Sequence, residues 1–285
     1  MSERFGARLA KAIAARGPLC AGIDPHPGLI EAWGLPVDAS GLEKFALTAV
    51  EGIAGEVAIV KPQSAFFEAF GAAGVAVLEK VIEGVKAAGA LVLLDVKRGD
   101  IGSTMAAYTA AYLADGAALE ADAITVSPYL GFGSLEPALA AARTGGKGLI
   151  VLARTSNPEA HALQNALLPN GKTVAQDIVD AAAACNGCAE PLGDIGVVVG
   201  ATIGRGELDL SRLNGPVLAP GFGAQGATAA DLRALFGASL PGVLPASSRD
   251  ILKHGPDVEA LRTAVRRTAE SLNAPKGLNS LENGQ

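Results

Sequence analysis

Eight short apolar runs recur along the chain, and longer segments with helical spacing of apolar residues separate them. The runs are continuous and rich in Val, Leu and Ile, as expected of parallel strands buried on both faces. They lie at residues 19–23, 57–60, 91–96, 123–126, 148–153, 195–199, 216–218 and 242–244. Alternating strands and helices predict right-handed parallel crossovers. Eight repeats favour closure into a (β/α)8 TIM barrel over an open doubly wound sheet.

The segments between the runs predict the helices of this barrel. Helical spacing predicts an opening helix at residues 3–16 and further helices at 66–88, 103–119, 135–143 and 228–236. The longest insertion, residues 154–194, follows the fifth strand and contains a helical segment at 174–184. No linker divides the chain, so we expect a single catalytic barrel domain over residues 1–273. Residues 274–285 are polar and predict a frayed C-terminal tail.

Composition excludes several classes of function. A net charge of −6 leaves no basic stripe for a nucleic-acid backbone. No segment approaches the roughly 18–20 apolar residues of a membrane span, and the charged N-terminus lacks the apolar centre of a signal peptide. Cys20, Cys185 and Cys188 have no second Cys/His pair at zinc spacing, which favours structural or incidental thiols. We therefore expect a cytoplasmic protein that binds neither nucleic acid nor membranes.

Charged residues stand at the C-terminal ends of the predicted strands, where barrel enzymes carry their active sites. The first strand ends in Asp24, the second in Lys61, and the third in Asp95 and Lys97, with Asp100 just beyond. On an extended strand Asp95 and Lys97 leave the same face, which places a carboxylate beside an ammonium. Such a coupled array is typical of sites that handle a proton or an anion. A salt bridge at the barrel rim is the alternative for this stretch alone.

A second group of residues predicts a phosphate site. The glycine-rich segment 220–226 follows the seventh strand, and Ser247-Ser248-Arg249 follow the eighth. Glycine lets backbone N–H groups approach phosphate oxygens, and Arg249 supplies a planar fork of donors for the same oxygens. The loops after strands seven and eight are where barrels commonly bind a phosphate. The glycine run alone could be a plain turn, but together with Arg249 it indicates phosphate binding.

These motifs resemble the orotidine 5′-phosphate decarboxylase family. Its signature D-x-K-x-x-D-I is similar to Asp95-Val-Lys97-Arg-Gly-Asp100-Ile101. Supporting motifs follow in order along the whole predicted barrel, at 23–27 (IDPHP), 60–63 (VKPQ), 127–131 (SPYLG) and 219–226 (APGFGAQG). The phrases IVKPQSAFFEAFG and PYLGFGSLEP resemble the longer, type 2 subgroup. Ser248 departs from the pattern, because much of the family has glycine before the arginine.

The resemblance implies decarboxylation of orotidine 5′-monophosphate to uridine 5′-monophosphate, the last step of de novo pyrimidine synthesis, with no metal and no organic cofactor. It implies that Lys97 protonates C6 and that Asp95 lies near the departing carboxylate. Asp24 and Lys61 would hold the ribose hydroxyls, with Lys61 also bonded into the charged array. The other substrate contacts implied are Ser127 on the pyrimidine edge, Pro220, and Gln225 and Arg249 on the phosphate.

The resemblance also implies a second subunit at each site. Asp100, Ile101 and Thr104 would enter the neighbouring subunit's site, so the enzyme would be a homodimer with shared active sites. The chemistry of the residues agrees with this assignment, because a fixed ammonium can stabilise a carbanion at C6 and then deliver the proton.

Three other functions fit part of the pattern. A related barrel lyase, such as a sugar-phosphate decarboxylase or aldolase, would recruit a metal with acidic residues, and metal dependence would identify it. A Schiff-base aldolase would use Lys61 or Lys97, and borohydride would trap its adduct. A noncatalytic nucleotide-binding protein would bind uridine monophosphate without turnover, but the intact array of Asp95, Lys97 and Asp100 favours an enzyme.

Overall fold

Eight parallel strands pair in chain order, and the last pairs with the first, so that the sheet closes into a barrel. The computed structural model describes residues 3–223, 226–237 and 242–273. The strands are β1 (Cys20–Ile23), β2 (Ile59–Pro62), β3 (Leu91–Arg98), β4 (Ala123–Val126), β5 (Gly148–Arg154), β6 (Ile195–Val199), β7 (Val217–Pro220) and β8 (Val243–Ser247). The predicted (β/α)8 barrel is confirmed.

Four strands extend two or three residues beyond the apolar runs that predicted them. Strand β2 ends at Pro62, β3 at Arg98, β7 at Pro220 and β8 at Ser247. In β2 the apolar run stops earlier than the backbone ladder because Lys61, the last inward-facing residue, is polar. Lys61 therefore belongs to a strand and is held by ladder hydrogen bonds, which gives it a more rigid base than a loop would.

The helices surround the barrel. They are α1 (Phe5–Arg16), α2 (Pro27–Ala32), α3 (Ala39–Ile53), α4 (Ser64–Glu68), α5 (Gly71–Ala87), α6 (Gly102–Leu113), α7 (Glu136–Gly145), α8 (His161–Gln164), α9 (Val174–Asn186), α10 (Ala229–Phe236), α11 (Arg249–Leu252) and α12 (Val258–Asn273). Short 3₁₀ turns occupy Phe132–Leu135 and Pro158–Ala160. None of the helices in the described ranges has the length and apolar character that a bilayer span requires.

Several helix predictions need correction. The helix predicted at 66–88 is two helices, because Gly71 adopts a left-handed φ of 62° between α4 and α5. Helix α9 packs against β5 and β6, so the predicted insertion contains the ordinary crossover helix between those strands. The connection between β6 and β7, residues 200–216, contains no helix, so strands and helices do not alternate strictly.

The N-terminal end of the barrel is filled and closed by α1. Phe5 and Leu9 of this helix are fully buried among inward-facing strand residues, namely Cys20, Ile59, Leu93, Ala123 and Ile150. Gly148 permits this packing, since a Cβ there would lie 2.3 Å from the Phe5 ring. Burial of each large apolar side chain contributes roughly 1.5–3 kcal/mol. Side chains therefore fill the barrel interior at its N-terminal end, and a ligand has to enter from the C-terminal end.

Strand alternation determines which residues reach that open end. Ile59, Leu93 and Ala123 point into the barrel, and side chains two positions further along a strand lie on the same face. Those positions are Lys61, Asp95 and Thr125. Polar residues thus form the uppermost inward layer of three neighbouring strands.

Candidate active site

The Asp95 carboxylate binds two lysines, one through each oxygen. Lys97 Nζ lies 2.7 Å from Asp95 Oδ1, and Lys61 Nζ lies 3.1 Å from Asp95 Oδ2. Lys61 Nζ also lies 3.6 Å from Asp24 Oδ1 and 3.3 Å from Gln63 Oε1. The structure therefore brings together Asp24, Lys61, Asp95 and Lys97 at the mouths of β1, β2 and β3.

Burial and mutual charge keep this array ionised. Burial raises the pKa of Asp95, but Lys61 and Lys97 and a hydrogen bond from Thr125 outweigh it and lower that pKa to about 2. Burial also disfavours charge on Lys61, yet the Asp24 and Asp95 carboxylates raise its pKa above the ordinary value. The Lys97 side chain is 46% exposed, whereas those of Lys61 and Asp95 are 8% exposed. Lys97 is thus the accessible ammonium of the array, whereas Lys61 and Asp95 are buried.

Lys97 does not have the extended backbone that the sequence predicts. Its φ is +47°, in the left-handed region, and the pairing of β3 with β4 shifts register between Leu94 and Arg98. A bulge of this kind re-aims a side chain at the end of a strand. The predicted placement of Lys97 beside Asp95 is therefore confirmed, but the extended backbone predicted for Lys97 is wrong. The two side chains meet because the bulge turns the lysine toward the carboxylate.

A cavity of about 300 Å³ opens above the array, which lies within the usual size range of small-molecule sites. The charged array forms one side of it. The other sides come from the strand ends and loops around the barrel, at Gly22, Gln63, Leu152, Thr155, Val198, Leu218, Pro220, Gly221, Phe222, Ala246, Ser247, Ser248 and Arg249.

The cavity wall at the end of β8, the strand that pairs with β1, carries hydrogen-bonding groups without a partner among the described residues. The Ser247 and Ser248 hydroxyls are buried and have no hydrogen-bond partner within the described part of the chain. Arg249 lines the cavity beside them, and Pro220 and Gly221 follow on the neighbouring strand end. Unpaired buried hydroxyls next to a guanidinium suit an anionic ligand. Gln225, which the sequence places in the same loop, lies outside the described residues.

The second acid of the signature, Asp100, does not line the cavity of its own chain. Asp100 Oδ1 accepts a hydrogen bond from the Ile101 N–H at 2.8 Å, and no ion pair joins Asp100 to Lys97 within the described ranges. Ile101 is 62% exposed, and Thr104 is also exposed. Ser127 is half-buried and lies outside the cavity wall. The structure thus does not bring these four residues into the array of the same chain.

Sequence reasoning missed two polar residues that bond directly to the array. The Gln63 amide oxygen accepts from Lys61, and the Thr125 hydroxyl donates to Asp95 Oδ1 at 2.7 Å. Gln63 and Thr125 could both have been found from the alternation of inward-facing and outward-facing residues along a strand. Gln63 lies two residues after Lys61, and Thr125 occupies the same inward layer of β4 as Asp95 does in β3. Thr125, which is buried, needs a hydrogen-bond partner within the protein because burial leaves it no water.

Comparisons with known proteins agree with this geometry. The family model for the orotidine 5′-phosphate decarboxylase / HUMPS family matches residues 17–264. The chain is 59% identical over 272 residues to the orotidine 5′-phosphate decarboxylase of Salinispora arenicola, covering 95% of this chain and 98% of the relative. It is 58% identical over 268 residues to the enzyme of Streptomyces coelicolor, covering 94% and 96%.

Solved structures give the same result. A provisionally assigned orotidine 5′-phosphate decarboxylase from Streptomyces avermitilis superposes with a TM-score of 0.93 at 56% identity, covering 95% of each chain. The Leishmania donovani OMP decarboxylase superposes with a TM-score of 0.71 at 32% identity, covering 95% of this chain and 97% of the other. The similarity therefore extends over nearly the whole barrel.

Proposed function

Because this chain belongs to the orotidine 5′-phosphate decarboxylase / HUMPS family and converts orotidine 5′-monophosphate to uridine 5′-monophosphate, we propose that Lys97 protonates C6 in that reaction. The enzyme is a carboxy-lyase of pyrimidine biosynthesis. We propose further that the reaction uses no metal and no organic cofactor, so that the charged array supplies all of the chemistry.

The observation that carries this proposal is the position of the Lys97 ammonium. Its Nζ lies 2.7 Å from Asp95 Oδ1 on the wall of the cavity. Loss of CO₂ leaves an electron pair on C6 with little delocalisation. An ammonium held beside that carbon stabilises the negative charge, and then the pair on C6 takes a proton from Nζ. Asp95, with its pKa lowered to about 2, stays ionised and holds the ammonium in place.

We propose that the rest of the cavity holds the substrate by its sugar and phosphate. Asp24 and Lys61 bind the ribose hydroxyls, and Ser127 binds the pyrimidine edge. Arg249 and Gln225 bind the phosphate beside Pro220. Binding energy from the phosphate, remote from the reacting carbon, offsets the cost of placing the substrate carboxylate near Asp95.

We also propose that the enzyme is a homodimer in which Asp100, Ile101 and Thr104 of one subunit complete the site of the other. The support is the orientation of these residues, which lie outside the array of their own chain. Large apolar side chains are exposed on the same side of the barrel, after β3 and β4. Ile101 is 62% exposed, Tyr129 78% and Leu130 52%. Such clustering is typical of an interaction surface, and a twofold dimer would use the patch on both subunits.

A single catalytic domain over residues 1–273 and a cytoplasmic location complete the proposal. The three cysteines of the chain, Cys20, Cys185 and Cys188, are free thiols, which fits a reducing compartment.

The experiment that tests the role of Lys97 compares K97A with the parent in a spectrophotometric assay of orotidine monophosphate, with a chelator present. We expect the parent to remain active and K97A to lose turnover while it still binds uridine monophosphate. K172A is the matched control, because Lys172 is half-exposed and pairs with Asp180 on α9. Turnover of K97A within tenfold of the parent would contradict the proposal. Loss of parental activity in chelator would favour a metal-using lyase, and a borohydride-trapped substrate adduct would favour a Schiff-base mechanism.

A further inference from the structure

Thr125 lies beneath the charged array, and its hydroxyl bonds to both residues of the Asp95–Lys97 pair. The Oγ1 atom lies 2.7 Å from Asp95 Oδ1 and 3.0 Å from the backbone nitrogen of Lys97. The residue is 1% exposed and does not contribute to the cavity wall. Thr125 can therefore affect a bound substrate only through its two partners.

The directions of the two bonds determine how the hydroxyl is used. The Lys97 N–H can only donate, so Thr125 Oγ1 accepts from it. The single hydroxyl hydrogen is then available for Asp95, whose ionised carboxylate can only accept. Asp95 Oδ1 is also the oxygen that binds Lys97 Nζ. One hydroxyl thus fixes the oxygen that receives the ammonium and the backbone from which the ammonium extends.

The backbone of Lys97 needs such support. Lys97 has a φ of +47°, in the left-handed region, where a residue with a side chain is strained. Strand β4 holds the bulge at two points. The first is the bond from Lys97 N–H to Thr125, and the second is the bond from Ser127 N–H to the Arg98 carbonyl at 2.7 Å. Gly99 permits this close approach, since a Cβ there would lie 2.3 Å from the Ser127 carbonyl oxygen.

We propose that Thr125 is a positioning residue for the decarboxylation. It holds Asp95 Oδ1 and the left-handed backbone of Lys97 in the one arrangement that aims the ammonium at the reacting carbon. The inference rests on the proposed role of Lys97 and adds a residue from a third strand that touches no substrate. Its contribution is to geometry, so it affects the chemical step and leaves nucleotide binding largely unchanged.

The test is a series of three substitutions at this position. T125V keeps the shape and removes the hydroxyl. T125S keeps the hydroxyl and removes the methyl group, and T125A lacks both, so that T125S and T125A differ only in the hydroxyl. The readouts are kcat and KM for orotidine monophosphate and the affinity for uridine monophosphate. T268V is the control for a Thr→Val change, because among the described residues the Thr268 hydroxyl bonds within α12, to the Ala264 carbonyl.

We expect T125V and T125A to lower kcat by about tenfold to a hundredfold, the usual loss for a misplaced catalytic group. Affinity for uridine monophosphate should stay within about threefold of the parent, and T125S should recover kcat to within about threefold. If T125V does not fold, T125S and T125A still isolate the hydroxyl.

Two results would overturn the inference. One is a kcat for T125A or T125V within threefold of the parent while K97A is inactive, which would leave the role of Lys97 intact and remove that of Thr125. The other is an equal loss in T125S and T125A, or equal losses of kcat and nucleotide affinity, which would show that Thr125 only maintains packing. Activity in K97A would instead contradict the proposed function itself.

Discussion

Gly22 and Ser248 face each other where the first and last strands of the barrel pair. A Cβ on Gly22 would lie 2.7 Å from Ser248 Cβ, 3.1 Å from Ser248 Oγ and 3.4 Å from Asp24 Oδ1. The register of the two strands places them there, because Cys20 pairs with Ala246 and Ala21 with Ser247. Both residues line the cavity. The glycine therefore leaves the room that the side chain of Ser248 occupies.

We predict that G22A raises KM for orotidine monophosphate by about tenfold, since relieving a contact of this kind costs roughly 1–3 kcal/mol and must displace Ser248 or Asp24. The double variant G22A/S248G should restore most of the lost KM, because it removes the two Ser248 atoms that lie nearest to the new methyl group. G55A is the control, as a Cβ on the exposed Gly55 meets nothing within 4 Å. A double variant as impaired as G22A would show that this contact is not the cause.

Arg249 should act on the phosphate and on little else. A charge-assisted contact of this kind is worth roughly 1.5–3 kcal/mol, so R249A should weaken uridine monophosphate binding by more than about tenfold. Binding of uridine, which lacks the phosphate, should change little. Titration of both ligands measures the difference, and K253A is the control, since Lys253 pairs with Asp250 outside the cavity. Equal losses for nucleotide and nucleoside would show that Arg249 does not touch the phosphate.

Acid stability should depend on an ion pair far from the site. Lys147, with a side chain 6% exposed, binds Glu120, and the Gly116 N–H donates to the same carboxylate. Burial raises the pKa of Glu120, but these bonds outweigh it and lower the pKa from 4.5 to about 2. A carboxylate whose pKa is lower in the folded state stabilises that state fully at pH values above its unfolded-state pKa. That stability is lost as the pH falls from about 5 toward 2, the window set by these two values.

We therefore predict that E120Q lowers the free energy of unfolding by about 2 kcal/mol at pH 7, and by progressively less as the pH falls. Urea unfolding at pH 7, 5, 4 and 3 measures this. D115N should behave like the parent, because Asp115 binds the same lysine from a side chain that is 87% exposed. If the difference in the free energy of unfolding between E120Q and the parent were the same at all four pH values, the prediction would be contradicted.

Residue spacing was sufficient to locate the charged array but not to orient it. Asp24, Lys61 and Asp95 follow apolar runs whose alternation and parallel pairing could be inferred from sequence, so their convergence was predictable. The backbone conformation of Lys97 was not predictable from the sequence. Its bulge depends on the register with β4, on the bond to Thr125 and on the close approach of Gly99 to Ser127. Those contacts lie about 28 residues away in sequence, as in the bond from Lys97 to Thr125.

The helices show the same limit. The predicted 154–194 insertion contains an ordinary crossover helix, α9. Its packing against β5 and β6 identifies it as a crossover helix, and local spacing in the sequence does not show that packing. The connection from β6 to β7 lacks a helix, even though helices predicted in five other connections suggested regular alternation. Asp100 is the clearest case at the site, since its role in the proposed mechanism depends on a second copy of the chain.

The shared site is the central claim of this account, and subunit exchange between two inactive variants tests it most directly. K97A keeps Asp100, and D100A keeps Lys97. In a hybrid dimer one site carries both defects and the other carries both native residues. Random pairing makes half of the dimers hybrids with one good site of two, so the ceiling is about a quarter of parental activity.

The measurement is orotidine monophosphate turnover after K97A and D100A are mixed and allowed to exchange subunits, with exchange verified independently. K97A mixed with the double variant K97A/D100A is the control, because no hybrid of that pair has a complete site. We predict that the first mixture recovers activity, approaching a quarter of the parent, and that the control stays inactive. Verified exchange with no recovery in the first mixture would contradict this prediction.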